Sequence, residues 1–271
     1  MKTAVVTVAH GRHEHLRLQR ASLARWATPQ VDHVVVAIDD AELAAADWCA
    51  AAVPTTPHGL PLAAARNLGA ATAVDRGATT LVFLDVDCLA GPQLVEAYTE
   101  AVAEEPDTVW SGPVTYLDPP PADGYDLAGL AHLDSPHPAR PAPQVGERLP
   151  GADPDLFWSL SFACSARAWR RSGGFCEDYV GYGGEDTDFG RVMVDAGLDL
   201  GWLGSARAFH QWHPVSRPPV EHVVDIVRNA NLFRARWGST PMLGWLRDFE
   251  GHGLAREDGR GHWWVTGPDR E

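Results

Sequence analysis

The chain has 271 residues, of which 45% are apolar, and its formal net charge is −14. This length suits one large domain or two small ones with a substantial core. The acidic balance argues against a nucleic-acid partner, because nucleic-acid binding needs a basic face. No apolar run approaches the roughly 20 residues of a membrane span, and the first residues lack the pattern of a signal peptide.

The cysteine and lysine content limits the kinds of metal and phosphate site that the chain can form. Four cysteines show no paired metal spacing, so we expect reduced thiols and a cytoplasmic protein. Lys2 is the only lysine, which excludes a lysine-dependent phosphate loop. An acidic protein that binds a diphosphate would most simply recruit a divalent cation. The alanine- and arginine-rich composition is typical of high-GC bacteria.

Strands and helices alternate over the first 104 residues. The predicted strands span 3–8, 33–38 and 80–84, and the predicted helices span 14–26, 62–75 and 93–104. This alternation predicts an α/β protein with a Rossmann-like, mostly parallel central sheet and helices on both faces. Ligands bind such sheets beyond the carboxyl ends of the strands, where Asp39 and Asp85 lie.

The alternation breaks between Asp118 and Pro154, a stretch dense in proline, glycine and aspartate. An irregular stretch of this length is usually a functional lid or is disordered. Beyond it we predict a strand at 157–164, a short helix capped by Ser165, a helix at 185–196 and a long helix at 218–237.

The sequence FLDVDC, residues 83–88, brings two carboxylates to the end of a buried strand. If the chain stays extended, Asp85 and Asp87 point to one face and repel each other unless a cation lies beside them. A hard divalent ion, bound by carboxylate and by substrate phosphate, meets that need. A plain polar turn after a strand is the alternative.

Two histidines follow in FHQWHP, residues 209–214. On a helical turn His210 and His213 could share one metal, whereas in a strand they would point to opposite faces. We favour a single histidine ligand that joins Asp87, and we favour His213 over His210. Arg66, early in the helix at 62–75, is a candidate for anion binding at a helix N-terminus, with a surface arginine as the alternative.

The stretch GYGGEDTDFGR, residues 181–191, begins a helix with three acids. The helix dipole favours acids there without any functional reason. At 3.6 residues per turn, Asp186 shares the apolar stripe of Phe189, whereas Glu185 and Asp188 lie toward the polar side. An inward-facing acid beside two glycines, which let another molecule approach the backbone, suits a general base.

Taken in order, these motifs resemble a family 2 type glycosyltransferase with the GT-A fold. The resemblance covers about residues 3–215, and its markers are Val5–Arg12, Asp39, Ala65–Gly69, Asp85–Asp87, Gly173–Phe175, Gly183–Asp186 and the pair His210 and His213. The Gly-Gly-Glu-Asp-x-Asp run also resembles the carboxyl half of the β-galactosyltransferase and polypeptide N-acetylgalactosaminyltransferase group.

The resemblance implies a single GT-A domain over 1–271, with a smaller acceptor-side subregion. Its parts would be a nucleotide-sugar-binding half (1–116), a flexible loop (117–154), an acceptor and catalytic half (155–215), and C-terminal helices with a tail (216–271). The implied donor-binding residues are Ala9, Arg12, Asp39, Arg66, Asp85 and Val86.

The resemblance also implies the remaining roles. Asp87, with help from Asp85, would hold Mn²⁺ or Mg²⁺ against the diphosphate, and a late histidine would complete the metal site. Asp186 would be the catalytic base. The group assigned to binding the sugar or the acceptor is Gly184, Glu185, Asp188 and Trp158.

The expected function is transfer of a sugar from a UDP- or GDP-sugar to a sugar, lipid-linked or small-molecule acceptor, by a single displacement with inversion. Three alternatives stay open: a retaining transferase on the same fold, a non-catalytic carbohydrate-binding protein motivated by the eleven tryptophans, and a metal hydrolase or nucleotidyltransferase.

Overall fold

The computed structural model describes residues 2–28 and 30–266. Within them the strands are β1 (Thr3–Ala9), β2 (Asp32–Ile38), β3 (Cys49–Val53), β4 (Thr80–Leu84), β5 (Cys88–Ala90), β6 (Thr108–Ser111), β7 (Val114–Tyr116), β8 (Arg148–Pro150), β9 (Ser161–Ser165), β10 (Asp199–Leu203), β11 (Ala208–His210), β12 (Ala255–Glu257) and β13 (Trp263–Val265). The helices are α1 (His13–Trp26), α2 (Ala41–Ala44), α3 (Leu62–Asp75), α4 (Leu94–Glu104), α5 (Ala166–Ser172), α6 (Glu185–Asp195), α7 (Val223–Trp237) and α8 (Leu243–Gly251). None of these helices is long and apolar enough to cross a membrane.

The central sheet has eight strands in the order β3-β2-β1-β4-β9-β6-β10-β8. The first four run parallel, and β9 is antiparallel to both β4 and β6. Because helices cover both faces, β1 and β4 are buried along their whole length, as their continuous apolar sequences predict. The predicted α/β class with a mostly parallel central sheet is therefore confirmed.

A second, three-stranded sheet has the order β5-β11-β7. In it, His210 of β11 lies opposite Cys88 of β5 and opposite Tyr116 of β7. The backbone N–H of Gln211 donates to the carbonyl of Asp87 at 2.7 Å. This small sheet joins the turn after β4 to a strand more than 120 residues later in the chain.

The segment 117–154 is mostly irregular, as predicted, but it is packed rather than open. Leu117 and Leu130 are buried in one apolar cluster with Leu89 and Phe209. Strand β8 extends the central sheet, and Arg207 donates to the carbonyl of Pro143 at 3.0 Å. The segment is therefore irregular but anchored at several points, and its flexibility stays a prediction.

Two predicted elements begin later than expected. The strand predicted at 157–164 is β9, because residues 157–160 turn away from the sheet before it begins. The helix predicted at 218–237 is a 3₁₀ turn at Val220–His222 followed by α7. The C-terminal part, unassigned in the sequence, contains α8 and the hairpin β12–β13, which pack on α7 around Phe249 and Trp263. Residues 267–271 of the predicted tail lie outside the described residues.

The prediction that Glu185 and Asp188 face the polar side of their helix is wrong, since both are buried. Asp188 is the clearer case. Its carboxylate is fully buried and accepts hydrogen bonds from Arg236 Nε (2.6 Å), Trp237 Nε1 (2.7 Å) and the Tyr179 hydroxyl (3.1 Å). The reason is that α7 covers this side of α6, so the helix has a second buried face besides its apolar stripe. Asp188 ties α6 to α7 and does not face the acids that begin α6.

We expect Asp188→Ala to lower the free energy of unfolding by about 3 kcal/mol, because it leaves three buried or half-buried donors without their acceptor. Urea unfolding measures this change. The matched control is Asp195→Asn, at the exposed end of the same helix, which should stay close to the wild type. Equal stabilities for the two variants would contradict the structural role of Asp188.

Candidate active site

Three side chains from distant segments converge on one point. The Oδ2 atom of Asp87 lies 3.5 Å from His210 Nε2 and 3.6 Å from His213 Nε2. One potential ligand atom from each residue lies within 4.8 Å of the others. Burial disfavours a charged carboxylate, but hydrogen bonds with the two imidazoles outweigh it and hold the pKa of Asp87 well below its usual range. Both histidines, rather than one, reach this carboxylate.

The turn after β4 gives the two aspartates different partners. Residues 85–87 leave the extended conformation, so Asp85 and Asp87 do not share one face as strand alternation predicted. From α1, the buried Gln19 side chain donates to the carbonyls of Asp85 (2.6 Å) and Cys88 (3.1 Å) and accepts from the Thr7 hydroxyl (3.0 Å). Gln19 therefore fixes the backbone on both sides of Asp87.

Arg66 lies between acids from the two halves of the chain. Its guanidinium, almost fully buried, donates to Asp85 Oδ1 at 3.1 Å and lies 3.6 Å from Glu185 Oε1. Asp85 is thus held by Arg66 and stands apart from the group formed by Asp87 and the histidines. The alternative of an exposed surface arginine is excluded.

The charges of this cluster are only partly balanced. Burial, together with repulsion from Asp186, raises the pKa of Glu185 to about 7, although Arg66 opposes the shift. Burial likewise raises the pKa of Asp85 to about 6 against the attraction of Arg66. In both groups, burial and the neighbouring acids outweigh the attraction of the single guanidinium.

Asp186 is half-buried at the start of α6, and its two oxygens differ. Oδ2 accepts a hydrogen bond from the backbone N–H of Ser159 at 3.0 Å. Oδ1 is buried and has no hydrogen-bond partner among the described residues. The prediction of an inward-facing acid therefore agrees with the structure, and Oδ1 is the atom available to an added ligand.

The remaining donor-binding candidates line the carboxyl edge of the sheet. Ala9 ends β1 and is buried, and Arg12 follows it, exposed, with a left-handed backbone. Asp39 follows β2, is exposed, and accepts from the Thr55 hydroxyl at 3.1 Å. Val86 packs on the apolar cluster that includes Ala9. Their contact with a nucleotide stays a prediction.

Two of the sugar-binding candidates have clear structural surroundings. Gly184 has φ +91°, and a Cβ there would lie 3.1 Å from the Tyr179 ring, so the protein's own packing already requires glycine. Trp158 is half-buried, with the Arg140 guanidinium 4.5 Å from its ring centre. A contact of either residue with a sugar stays a prediction.

Comparison with known proteins gives a family match over part of the chain. Residues 147–225 match the model of the N-terminal domain of galactosyltransferase. Two curated relatives, both named validoxylamine A glucosyltransferase, come from Streptomyces hygroscopicus subsp. jinggangensis (strain 5008) and subsp. limoneus. Each is 33% identical over 164 residues, covering 52% of this chain and 37% or 34% of the relative. The chain spans about a third of the length of these relatives.

Solved structures resemble the whole chain. GalNAc-T7, crystallised with UDP, GalNAc and Mn²⁺, has a TM-score of 0.55 at 13% identity over 93% of this chain and 57% of that one. Residues 1–349 of S. aureus TarS have a TM-score of 0.54 at 13% identity over 85% of this chain and 65% of that one. The chain has the GT-A glycosyltransferase fold. The resemblance to a glycosyltransferase of the GT-A fold and to the galactosyltransferase and N-acetylgalactosaminyltransferase group, stated from the motifs, is confirmed.

Two further residues of the candidate site were not predicted from the sequence motifs. Gln19 lies in a helix that carries no motif, and only its contacts show that it holds the Asp85–Cys88 turn. Tyr182 lies between the glycines of the GYGG run, and its ring stacks on His222 with ring centres 4.7 Å apart. In the sequence, the position of Tyr182 between glycines was the feature that could have identified it.

The pKa of Glu185 generates a prediction about stability. Its folded value of about 7 exceeds the ordinary 4.5, so the folded protein keeps a proton that the unfolded chain releases in this window. The contribution of Glu185 to stability therefore falls as the pH rises from 4.5 to 7. Glu185→Gln removes this titration. The free energy of unfolding of the variant, relative to the wild type, should rise by on the order of 3 kcal/mol across the window.

Urea unfolding in the presence of EDTA, repeated at several pH values, measures this difference. The control is Glu100→Gln on the exposed face of α4, whose difference from the wild type should not change with pH. A pH-independent difference for Glu185→Gln would show that Glu185 titrates normally in the folded protein.

Proposed function

We propose that this chain is a metal-dependent glycosyltransferase that uses a UDP-sugar and inverts the anomeric configuration, with Asp186 as general base. One observation carries the proposal. Asp87, His210 and His213 form a compact ligand group at the edge of the sheet where nucleotides bind such folds, and the helix that begins with Glu185 and Asp186 meets the same edge through Arg66.

The donor set fits a divalent metal ion. One carboxylate oxygen and two imidazole nitrogens leave coordination positions for phosphate oxygens. Mg²⁺ prefers oxygen ligands throughout, whereas imidazole suits the transition metals, so the two histidines favour Mn²⁺ over Mg²⁺. The presence of Mn²⁺ in the GalNAc-T7 crystal supports this choice. A bound divalent ion supplies neutralisation of the charge that develops on a leaving nucleoside diphosphate.

The chain's own residues supply the rest of the reaction. Asp186 Oδ1 takes the proton of the acceptor hydroxyl while the hydroxyl oxygen forms a bond to the anomeric carbon. The bond between that carbon and the diphosphate oxygen breaks, and the nucleoside diphosphate leaves from the opposite face. The Ser159 N–H fixes Oδ2 and so orients the carboxylate toward the acceptor.

The comparisons support a sugar and an acceptor class. The TarS structure with bound UDP-GlcNAc and the GalNAc-T7 structure with UDP support a UDP-sugar as the donor, with a GDP-sugar as the alternative. The names of the two curated relatives support glucose as the transferred sugar and validoxylamine A, or a similar molecule, as the acceptor.

A donor panel tests the function. Release of nucleoside diphosphate is measured with UDP-glucose, UDP-GlcNAc, UDP-GalNAc and GDP-glucose, with Mn²⁺ or EDTA, and with validoxylamine A as one acceptor. Mn²⁺-dependent release that requires acceptor is expected, and NMR of the product should show the inverted anomer. Release of phosphate or pyrophosphate without sugar transfer would favour a hydrolase or nucleotidyltransferase, and a retained anomer would refute the role of Asp186.

We predict that Asp186→Asn lowers kcat by about 10²- to 10⁴-fold, because the amide cannot take the proton. The asparagine can still accept from the Ser159 N–H, so calorimetry should show UDP and Mn²⁺ binding like that of the wild type. Asp195→Asn, at the far end of α6, serves as the control and should turn over normally. Robust turnover by Asp186→Asn would eliminate Asp186 as the base.

A further inference from the structure

Arg140, in the irregular segment 117–154, is a buried cation that lacks a conventional partner. The residue is 6% exposed, and its Nε and both terminal nitrogens have no hydrogen-bond acceptor among the described residues. A buried charge without a partner is costly, so its surroundings must stabilise it in another way. The rings of Trp158 and Trp202 do so, with centres 4.5 and 5.4 Å from the guanidinium carbon.

The contact with Trp158 leads directly to the base. Trp158 precedes Ser159, whose backbone N–H donates the hydrogen bond to Asp186. The edge of His137, three residues before Arg140, also meets the Trp158 ring, with ring centres 5.4 Å apart. The side chains of Arg140 and His137 therefore both contact the Trp158 indole. The position of this indole in turn constrains the backbone of Ser159, which orients Asp186.

The stretch that carries Arg140 is itself docked on the small sheet. The backbone N–H of His137 donates to the carbonyl of Val114 at 2.9 Å, and the N–H of Ser135 donates to the Thr115 hydroxyl at 2.9 Å. Both acceptors belong to β7, which pairs with the strand that ends at His210. Arg140 is therefore fixed relative to the candidate metal ligands.

We propose that Arg140 is a positioning residue for the base: it holds Trp158 so that the Ser159 N–H orients Asp186 and leaves Oδ1 free for the acceptor hydroxyl. This inference rests on the proposed function. It assigns the segment 117–154 a task in catalysis that does not require it to open or close. It also explains why an arginine without a hydrogen-bond acceptor is buried against the tryptophan that precedes Ser159.

Arg140→Met, which keeps an unbranched apolar side chain and removes the guanidinium and its charge, tests the inference. We expect kcat to fall by about ten- to a hundred-fold, with the donor KM and calorimetric UDP–Mn²⁺ affinity unchanged. Arg140→Lys should recover much of the rate. The matched control is Arg148→Met, since Arg148 belongs to the same segment and also lies over a tryptophan, Trp110, at 5.7 Å. This control should leave kcat unchanged.

A double mutant separates positioning from general destabilisation. If Arg140 acts through Asp186, then Arg140→Met should cause no further loss of kcat in the Asp186→Asn background. A full additional loss there, or a wild-type kcat for Arg140→Met alone, would overturn the inference. Should Arg140→Met fail to bind UDP–Mn²⁺, Arg140→Gln is scored by the same criteria. A wild type inactive with every donor refutes the proposed function instead.

Discussion

One buried guanidinium allows the two halves of the chain to meet. Arg66, from α3, contacts Asp85 at the end of β4 and lies beside Glu185 at the start of α6. Without a cation between them, these acids would repel each other in a poorly hydrated space, and the first turn of α6 could not approach the turn after β4. Since Asp87 and Asp186 are neighbours of the two acids in sequence, the distance between the candidate metal group and the candidate base depends on this interaction.

The sequence predicted three parallel strands and three helices of the first 104 residues closely, because buried strands and the helices between them have distinct apolar patterns, but it missed α2, the edge strand β3 and the short strand β5. The strand at 80–84 and the helix at 62–75 match β4 and α3 residue for residue. The second half was harder to predict. The start of β9 is delayed to Ser161 because the preceding residues serve Asp186, and the short strands β5, β7 and β11 are stabilised mainly by pairing with one another. No local pattern encodes either constraint.

The residues of the candidate site also divide into those that the sequence could identify and those that it could not. Asp85, Asp87 and Asp186 could be found because carboxylates at the ends of strands and helices are recognisable in a sequence. Their partners could not be assigned, and the helical wheel misplaced Asp188 because it considers only one buried face. Gln19 and Arg140 have no motif at all: an amide in a helix and an arginine in a proline-rich segment acquire a function only through contacts made far away in sequence.

The unbalanced charge of the cleft connects these observations to the composition. Among the described residues, Arg66 is the one cation in contact with both Asp85 and Glu185, and burial first, then repulsion from neighbouring acids, raises the pKa values of the two carboxyls in spite of it. The chain carries 36 acidic against 22 basic side chains, which gives a net charge of −14. A divalent ion on Asp87, His210 and His213 would add two positive charges beside the acids, and a diphosphate would then enter a cleft that would otherwise repel it. The excess of acidic over basic side chains thus becomes an argument for the metal.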